Sequence, residues 1–253
     1  MKLPRYNSRT PIPYLAMLLG ALTGCGTENA SVERAARPHE PIEDNYGAGG
    51  YRDIQFLDDV DSNASLEEDL TDLAFIDLSG KPVSLKDYRG RNLVLVITRG
   101  SARYICIYCS TLTSRMVAQY EEFKSRNAEI LIVFPLRAKG EEVLAEDFLK
   151  FVRDKLEPDR TSIPFPVVLD MELHVVDKLG LRQNLARPAT YILDAEGQLR
   201  FAYVGASQAD RPSIKALLEQ LDALKRERKA EAPSAGVEPS AESSRESAPQ
   251  GTT

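Results

Sequence analysis

Between residues 66 and 229 the apolar positions switch repeatedly between strand and helix spacing. Leu73 to Leu78 predicts a strand, Gly80-Lys81 a turn, and Ser84 to Tyr88 a short connection toward a second strand at Leu93 to Thr98. Met116, Val117, Tyr120 and Phe123 recur at helical spacing within 110–126, and Ala128 to Phe134 reads as a buried strand. Glu141 to Leu156 is an amphipathic helix, Pro166 to Asp170 a strand, and Glu172 to Leu179 a short helix closed by Gly180. Thr190 to Asp194 and Gln198 to Val204 form a hairpin around Ala195-Glu196-Gly197. Asp210 is placed to cap a last helix with Pro212 in its first turn, running to about Arg228. The order β, β, α, β, α, β, α, β, β, α predicts an α/β domain with helices on both faces of a mixed central sheet.

The flanks read differently. Residues 1–24 begin with the basic Lys2, Arg5 and Arg9 and continue into the mostly apolar Ile12 to Leu22, the pattern of an export signal and too short to span a bilayer. The signal ends in Leu22-Thr23-Gly24-Cys25, which resembles a bacterial lipobox. That resemblance implies cleavage before Cys25, lipidation of Cys25 and a protein anchored in the cell envelope facing the periplasm, with Gly26 pointing to the outer membrane. A signal peptide with an incidental cysteine is the plainer alternative. Residues 25–65 hold Pro38, Pro41 and a Gly-Ala-Gly-Gly run with little periodic apolar content, and read as a flexible tether. Residues 230–253 are an acidic tail of Ala, Pro, Ser, Glu and Gly expected to be disordered.

Loss of residues 1–24 removes three positive charges and no negative ones, taking the formal charge from −6 to −9. So acidic a protein lacks the clustered Lys and Arg that phosphate backbones require, and no nucleic-acid partner is expected.

The chemistry concentrates in Cys106-Ile107-Tyr108-Cys109, a C-x-x-C between the strand at Leu93 to Thr98 and the helix that follows. A thiol that caps a helix sits at the positive end of its dipole, so Cys106 is the candidate nucleophile and Cys109, one turn further in, the resolving thiol. Half of a zinc site would need a second ligand pair, and the two histidines, His39 and His174, lie in the tether and in a helix pattern, so no metal or other cofactor is expected. The remaining alternative is a static disulfide, although so short a loop constrains the unfolded chain little.

The run Phe75 to Gly90, the apolar strand, Arg99-Gly100 and the C-x-x-C together resemble the redoxin branch of the thioredoxin-like superfamily, more narrowly the AhpC/TSA, peroxiredoxin-like type. A second match is Arg187-Pro188-Ala189-Thr190, similar to the family's cis-proline segment that faces the dithiol. The resemblance covers roughly residues 70 to 226 and implies a thioredoxin-like fold, with Pro188, Arg187 and Thr190 at the substrate. Pro188 is then either a cis proline that presents a strand edge or an ordinary trans proline opening a strand. Arg187 either points at Cys106, where it would stabilise a thiolate, or lies on the surface. Tyr104 and Tyr108 can supply an aromatic platform or simply pack.

The chain also departs from the family. Peroxidatic sites resemble Pro-x-x-x-Thr/Ser-x-x-Cys, but Arg99 and Arg103 occupy those positions before Cys106, and Ala102 and Cys106 before Cys109. Arg103 can replace the missing hydroxyl only as a cation. Membrane-tethered thiol-disulfide reductases show Trp-Cys-Pro-x-Cys, where this chain has Ile105 and Ile107. The expectation is therefore a lipid-anchored thiol oxidoreductase acting on protein disulfides or hydroperoxides and re-reduced by an unidentified thiol donor. The rival is a redox-inactive scaffold of the same fold with a structural disulfide, while a copper-delivering relative would need a histidine near the dithiol.

Overall fold

The computed structural model describes residues 51–101 and 104–231. The signal, Cys25, Arg103 and most of the acidic tail lie outside the described residues. The centre of the sheet is formed by β3 (Asn92–Ile97) and β4 (Ala128–Pro135), outside which β1 (Ala74–Asp77) and β2 (Pro82–Ser84) make an antiparallel edge pair. Both central strands are buried along their whole length, as continuous Val, Ile and Leu runs predict for strands covered on two faces. They pair in parallel, Val94 opposite Ile130 and Val96 opposite Ile132. β5 (Val167–Asp170) continues parallel to β4 and meets β1 antiparallel. On the other side, β6 (Ala189–Leu193) runs antiparallel to β3, and β7 (Leu199–Val204) antiparallel to β6. The order β2-β1-β5-β4-β3-β6-β7 is the mixed sheet expected of a thioredoxin-like α/β fold.

The helical pattern of 110–126 begins earlier than its apolar spacing and breaks at Gln119, giving α1 (Ile107–Ala118) and α2 (Tyr120–Lys124). α3 (Val143–Arg153), α4 (His174–Lys178) and α5 (Ile214–Glu231) complete the helices. Alternation along the strands divides the core in two. Val94, Val96, Ile130, Ile132 and Ile192 pack with Leu112 and Met116 of α1, Phe148 of α3 and Leu217 of α5. Leu93, Leu95, Ile97, Leu131 and Val133 pack with Val175 and Val176 of α4 and with Leu70, Leu73 and Leu85. Asp170, at the end of β5, accepts the Val175 and Val176 N–H groups at 2.9 and 3.0 Å, which anchors the start of α4.

Three expectations are corrected. Pro82–Ser84 forms a strand, too short at three residues to declare itself by periodicity. Asp210 does not cap the last helix: its carboxylate accepts from the Tyr203 hydroxyl and the Ala206 N–H, both at 2.6 Å. Ser213 takes the capping place, its Oγ accepting the Ala216 N–H at 3.1 Å, and Pro212 precedes the helix. The folded domain also begins before residue 66. The Leu57 N–H donates to the Arg211 carbonyl at 2.9 Å and the Ser213 N–H to the Leu57 carbonyl at 2.7 Å, while the Asn63 side chain both donates to and accepts from the Val204 backbone. Phe56, 8% exposed, lies under the Arg115 guanidinium at 5.1 Å. Residues 51–65 are thus a packed strap, held chiefly by backbone pairing rather than by the apolar periodicity that marks a core element.

Replacing Phe56 by Ala is expected to lower the unfolding free energy by about 3 kcal/mol, the usual loss for a buried aromatic ring. Urea denaturation checks this; an unchanged midpoint would return residues 51–65 to the tether.

Candidate active site

Gly100 decides how the chain leaves β3. It sits at φ +76°, and a Cβ there would lie 2.6 Å from the Pro135 carbonyl oxygen at the end of β4, so only glycine lets the two segments pass. The Ser101 hydroxyl then donates to the Tyr104 carbonyl at 3.1 Å, and the chain enters α1 with Cys106 as its N-cap. Cys106 Sγ accepts the Cys109 N–H at 3.3 Å, so the dithiol occupies the strand-to-helix turn that its spacing predicts. Both cysteines are free thiols.

The residue that organises them is Arg211, from the segment between β7 and α5. Its guanidinium donates to Cys109 Sγ at 3.1 Å and to Cys106 Sγ at 3.7 Å, and its Nε donates to the Gln208 carbonyl at 2.8 Å. Arg211 is 2% exposed, Cys109 1% and Cys106 6%. The Arg99 N–H adds a second donor to Cys109 Sγ at 3.4 Å.

These contacts set the charge. Burial alone would push the Cys109 thiol up, but the hydrogen bond from Cys106, the Arg211 charge and the Arg99 amide outweigh it and bring Cys109 down to about 6. The hydrogen bond shared with Cys109 pushes the Cys106 thiol well above its ordinary value, with burial adding to the rise. The pair therefore holds one proton between two sulfurs, and the resting negative charge lies on Cys109. The helix dipole favours charge on Cys106, whereas the full positive charge of Arg211 and the larger set of donors draw it to Cys109.

The other sequence-predicted residues divide as follows. Arg187 does not engage the dithiol; its guanidinium donates to the carbonyls of Gly205 and Val204 at 3.2 and 3.5 Å. The described chain has no cis peptide bond, so Pro188 is trans. Pro188 is buried, its carbonyl accepting the Gly205 N–H at 2.8 Å, so it presents no open strand edge here. Thr190 is a buried β6 residue opposite Val96 and Tyr203. Tyr108, in the first turn of α1, is half-buried and packs on the core, whereas Tyr104 is exposed. Arg103 lies outside the described residues, as does Cys25. Among the described residues no cluster of His, Cys, Asp or Glu is arranged to hold a metal ion.

Comparison with known proteins places this geometry in context. A family model described as AhpC/TSA matches residues 66–202. The thiol-disulfide oxidoreductase ResA of Halalkalibacterium halodurans is 26% identical over 144 residues, which cover 57% of this chain and 71% of the relative. Among solved structures, a Cys-to-Ser variant of the peroxiredoxin 6 of Arenicola marina is similar with a TM-score of 0.54 at 14% identity, covering 66% of this chain and 76% of that one, a likeness of fold. Mycobacterium tuberculosis AhpC is 21% identical with a TM-score of 0.45, over 58% of this chain and 76% of its own.

The coupled dithiol predicts a bell-shaped dependence of stability on pH in the reduced protein. Cys109 ionises at about 6 when folded and at about 8.5 when unfolded. Between those values the unfolded chain binds more protons, so stability rises with pH and is lost again as pH falls through about 6. Cys106 has the opposite sign: its folded value lies above the unfolded one, so stability falls once pH passes about 8.5. Denaturation at a series of pH values should show both limbs, and Arg211→Met should erase the rising one; an unaltered rising limb in that variant would separate Arg211 from the charge on Cys109.

Proposed function

The chain belongs to the AhpC/TSA family, and from that membership we propose that it is a thiol-dependent oxidoreductase whose working couple is Cys106 and Cys109. The carrying observation is the buried Arg211 guanidinium within hydrogen-bond reach of both sulfurs. A scaffold with a permanent disulfide has no use for a buried cation at that place, because a disulfide carries no charge to meet it.

The dithiol can act in a balanced sequence. Cys106 passes its proton to the Cys109 thiolate, moving the negative charge to the less buried sulfur. The Cys106 thiolate attacks one sulfur of a protein disulfide; a Cys106–substrate bond forms, the substrate S–S bond breaks, and the departing thiolate takes the Cys109 proton. Cys109, again a thiolate, then attacks Cys106 Sγ. The second substrate sulfur leaves and is protonated from solvent, so two electrons pass to the substrate and a Cys106–Cys109 bond remains. An external thiol donor restores the reduced pair.

A second reading, hydroperoxide reduction, is favoured by the family itself and by the cation 3.7 Å from Cys106. There the Cys106 thiolate attacks the terminal peroxide oxygen, an alcohol leaves, and Cys109 condenses with the sulfenic acid to release water. Against it stands Arg103 in place of the hydroxyl that the family's peroxidatic pattern carries.

Insulin reduction and peroxide consumption, measured in parallel, test these readings. Cys106→Ser is expected to abolish turnover, and Cys109→Ser to trap a mixed disulfide with the substrate. A redox midpoint of about −270 to −200 mV accompanies a working couple. A bridge that resists reduction below about −300 mV, with no turnover of either substrate, would overturn the enzyme reading in favour of the scaffold.

Leu22-Thr23-Gly24-Cys25 supports export and lipid anchoring through Cys25 at the periplasmic side of the cell envelope. In a bacterial host the protein should enter the detergent phase on phase separation and Cys25→Ser the aqueous phase; an aqueous wild type would refute the anchor.

A further inference from the structure

A cavity of about 460 Å³ lies beside α1. Its wall is built from Thr111, Arg115 and Ala118 on one face of α1, from Arg52 in the strap, and from Lys155 and Arg160 in the segment after α3. Four of these side chains are cations, against a single carboxylate on the wall, Glu157.

Arg115 and Arg160, both lining this space, spend their hydrogen bonds on neutral acceptors. Arg115 donates to the carbonyls of Ile54 and Arg52 at 2.7 and 3.4 Å, and Arg160 to those of Val117 and Ala118 at 3.3 and 3.0 Å. Among the described residues no carboxylate lies within ion-pair distance of either. Burial lowers the pKa of Arg115, as expected of a guanidinium withdrawn from water without a counter-ion. In the same wall Thr111, 1% exposed, has a hydroxyl with no hydrogen-bond partner among the described residues. Buried hydroxyls are ordinarily paired, so an unpaired one in the same wall as the half-buried Arg115 and Lys155 leaves room for an acceptor. Leu156 and Ala118 add apolar surface to the lining.

We propose that this cavity binds a small organic anion, a carboxylate or phosphate monoester with a short apolar body, its charge between Arg115 and Arg160 and its body against Leu156 and Ala118. The anion replaces carbonyls as the acceptor for guanidinium donors, which exchanges neutral hydrogen bonds for charge-assisted ones, and it gives the Thr111 hydroxyl a partner. The site is independent of the dithiol and stands whether or not the oxidoreductase reading does.

Benzoate and phenyl phosphate, with uncharged benzamide as control, are the probes, added to the reduced full chain and followed by amide chemical-shift changes at Thr111, Arg115 and Lys155. Saturable shifts with either anion and none with benzamide are expected, and the stronger anion tells a carboxylate source from a phosphate one. Arg160→Gln, at an exposed position, should weaken binding about tenfold or more, the loss of one hydrogen bond to a charged group. Arg115→Gln should do the same. Shifts equal for benzamide and benzoate, an affinity unchanged in both variants, or no shift with either anion would overturn the site.

Discussion

A guanidinium buried to 2% exposure needs a negative partner, and here that partner is a sulfur. A buried charge left alone costs several kcal/mol, so in the reduced protein the position of Arg211 favours a thiolate at Cys109. The relation is asymmetric. Deprived of Arg211, the thiol can take up a proton and become neutral, whereas the guanidinium has no such escape. The cation is therefore the fixed element, and the ionisation of the cysteine follows from it.

Much of the surrounding structure serves to hold that cation in place. The Gln208 carbonyl orients its Nε, Asp210 ties the preceding loop to Tyr203 and Ala206, and the strap pairs with the backbone on both sides of Pro212. A methyl group on Gly205 would meet the Asp210 carbonyl at 2.1 Å, so the loop is folded tightly upon itself. Beneath it the sheet supplies a rigid base: β3 and β4 end side by side, and Gly100 lets the chain turn there into α1. The dithiol and its counter-charge are thus brought together by elements from the two ends of the domain.

That arrangement explains what could be read in advance. The apolar runs at Leu93 to Thr98 and Ala128 to Phe134 announce buried strands because every position in them is covered, and the C-x-x-C before a helical pattern places Cys106 at a cap. Local chemistry suffices for both. Asp210 before Pro212 reads as a cap because its sequence neighbourhood fits one, but a tyrosine from β7 competes for the same carboxylate. The strap has no signature in the sequence because its pairing uses backbone groups, which leave no trace in side-chain periodicity. Arg211 is illegible for a different reason: an arginine beside a proline looks like any surface residue, and only the tertiary fold buries it. Arg187, the arginine that motif similarity favoured, braces the Gly205 turn instead.

The separation along the chain between Arg211 and its two sulfurs, 102 and 105 residues, has a bearing on biosynthesis. Strands β3 and β4 with α1 between them form a local unit that can assemble early, but its thiols have no counter-charge until the last loop and α5 have been made and docked. During that interval the cysteines lack the guanidinium that lowers Cys109 in the folded protein. The counter-charge arrives with the final segment, so the chain completes its fold before Arg211 can draw a proton from the pair.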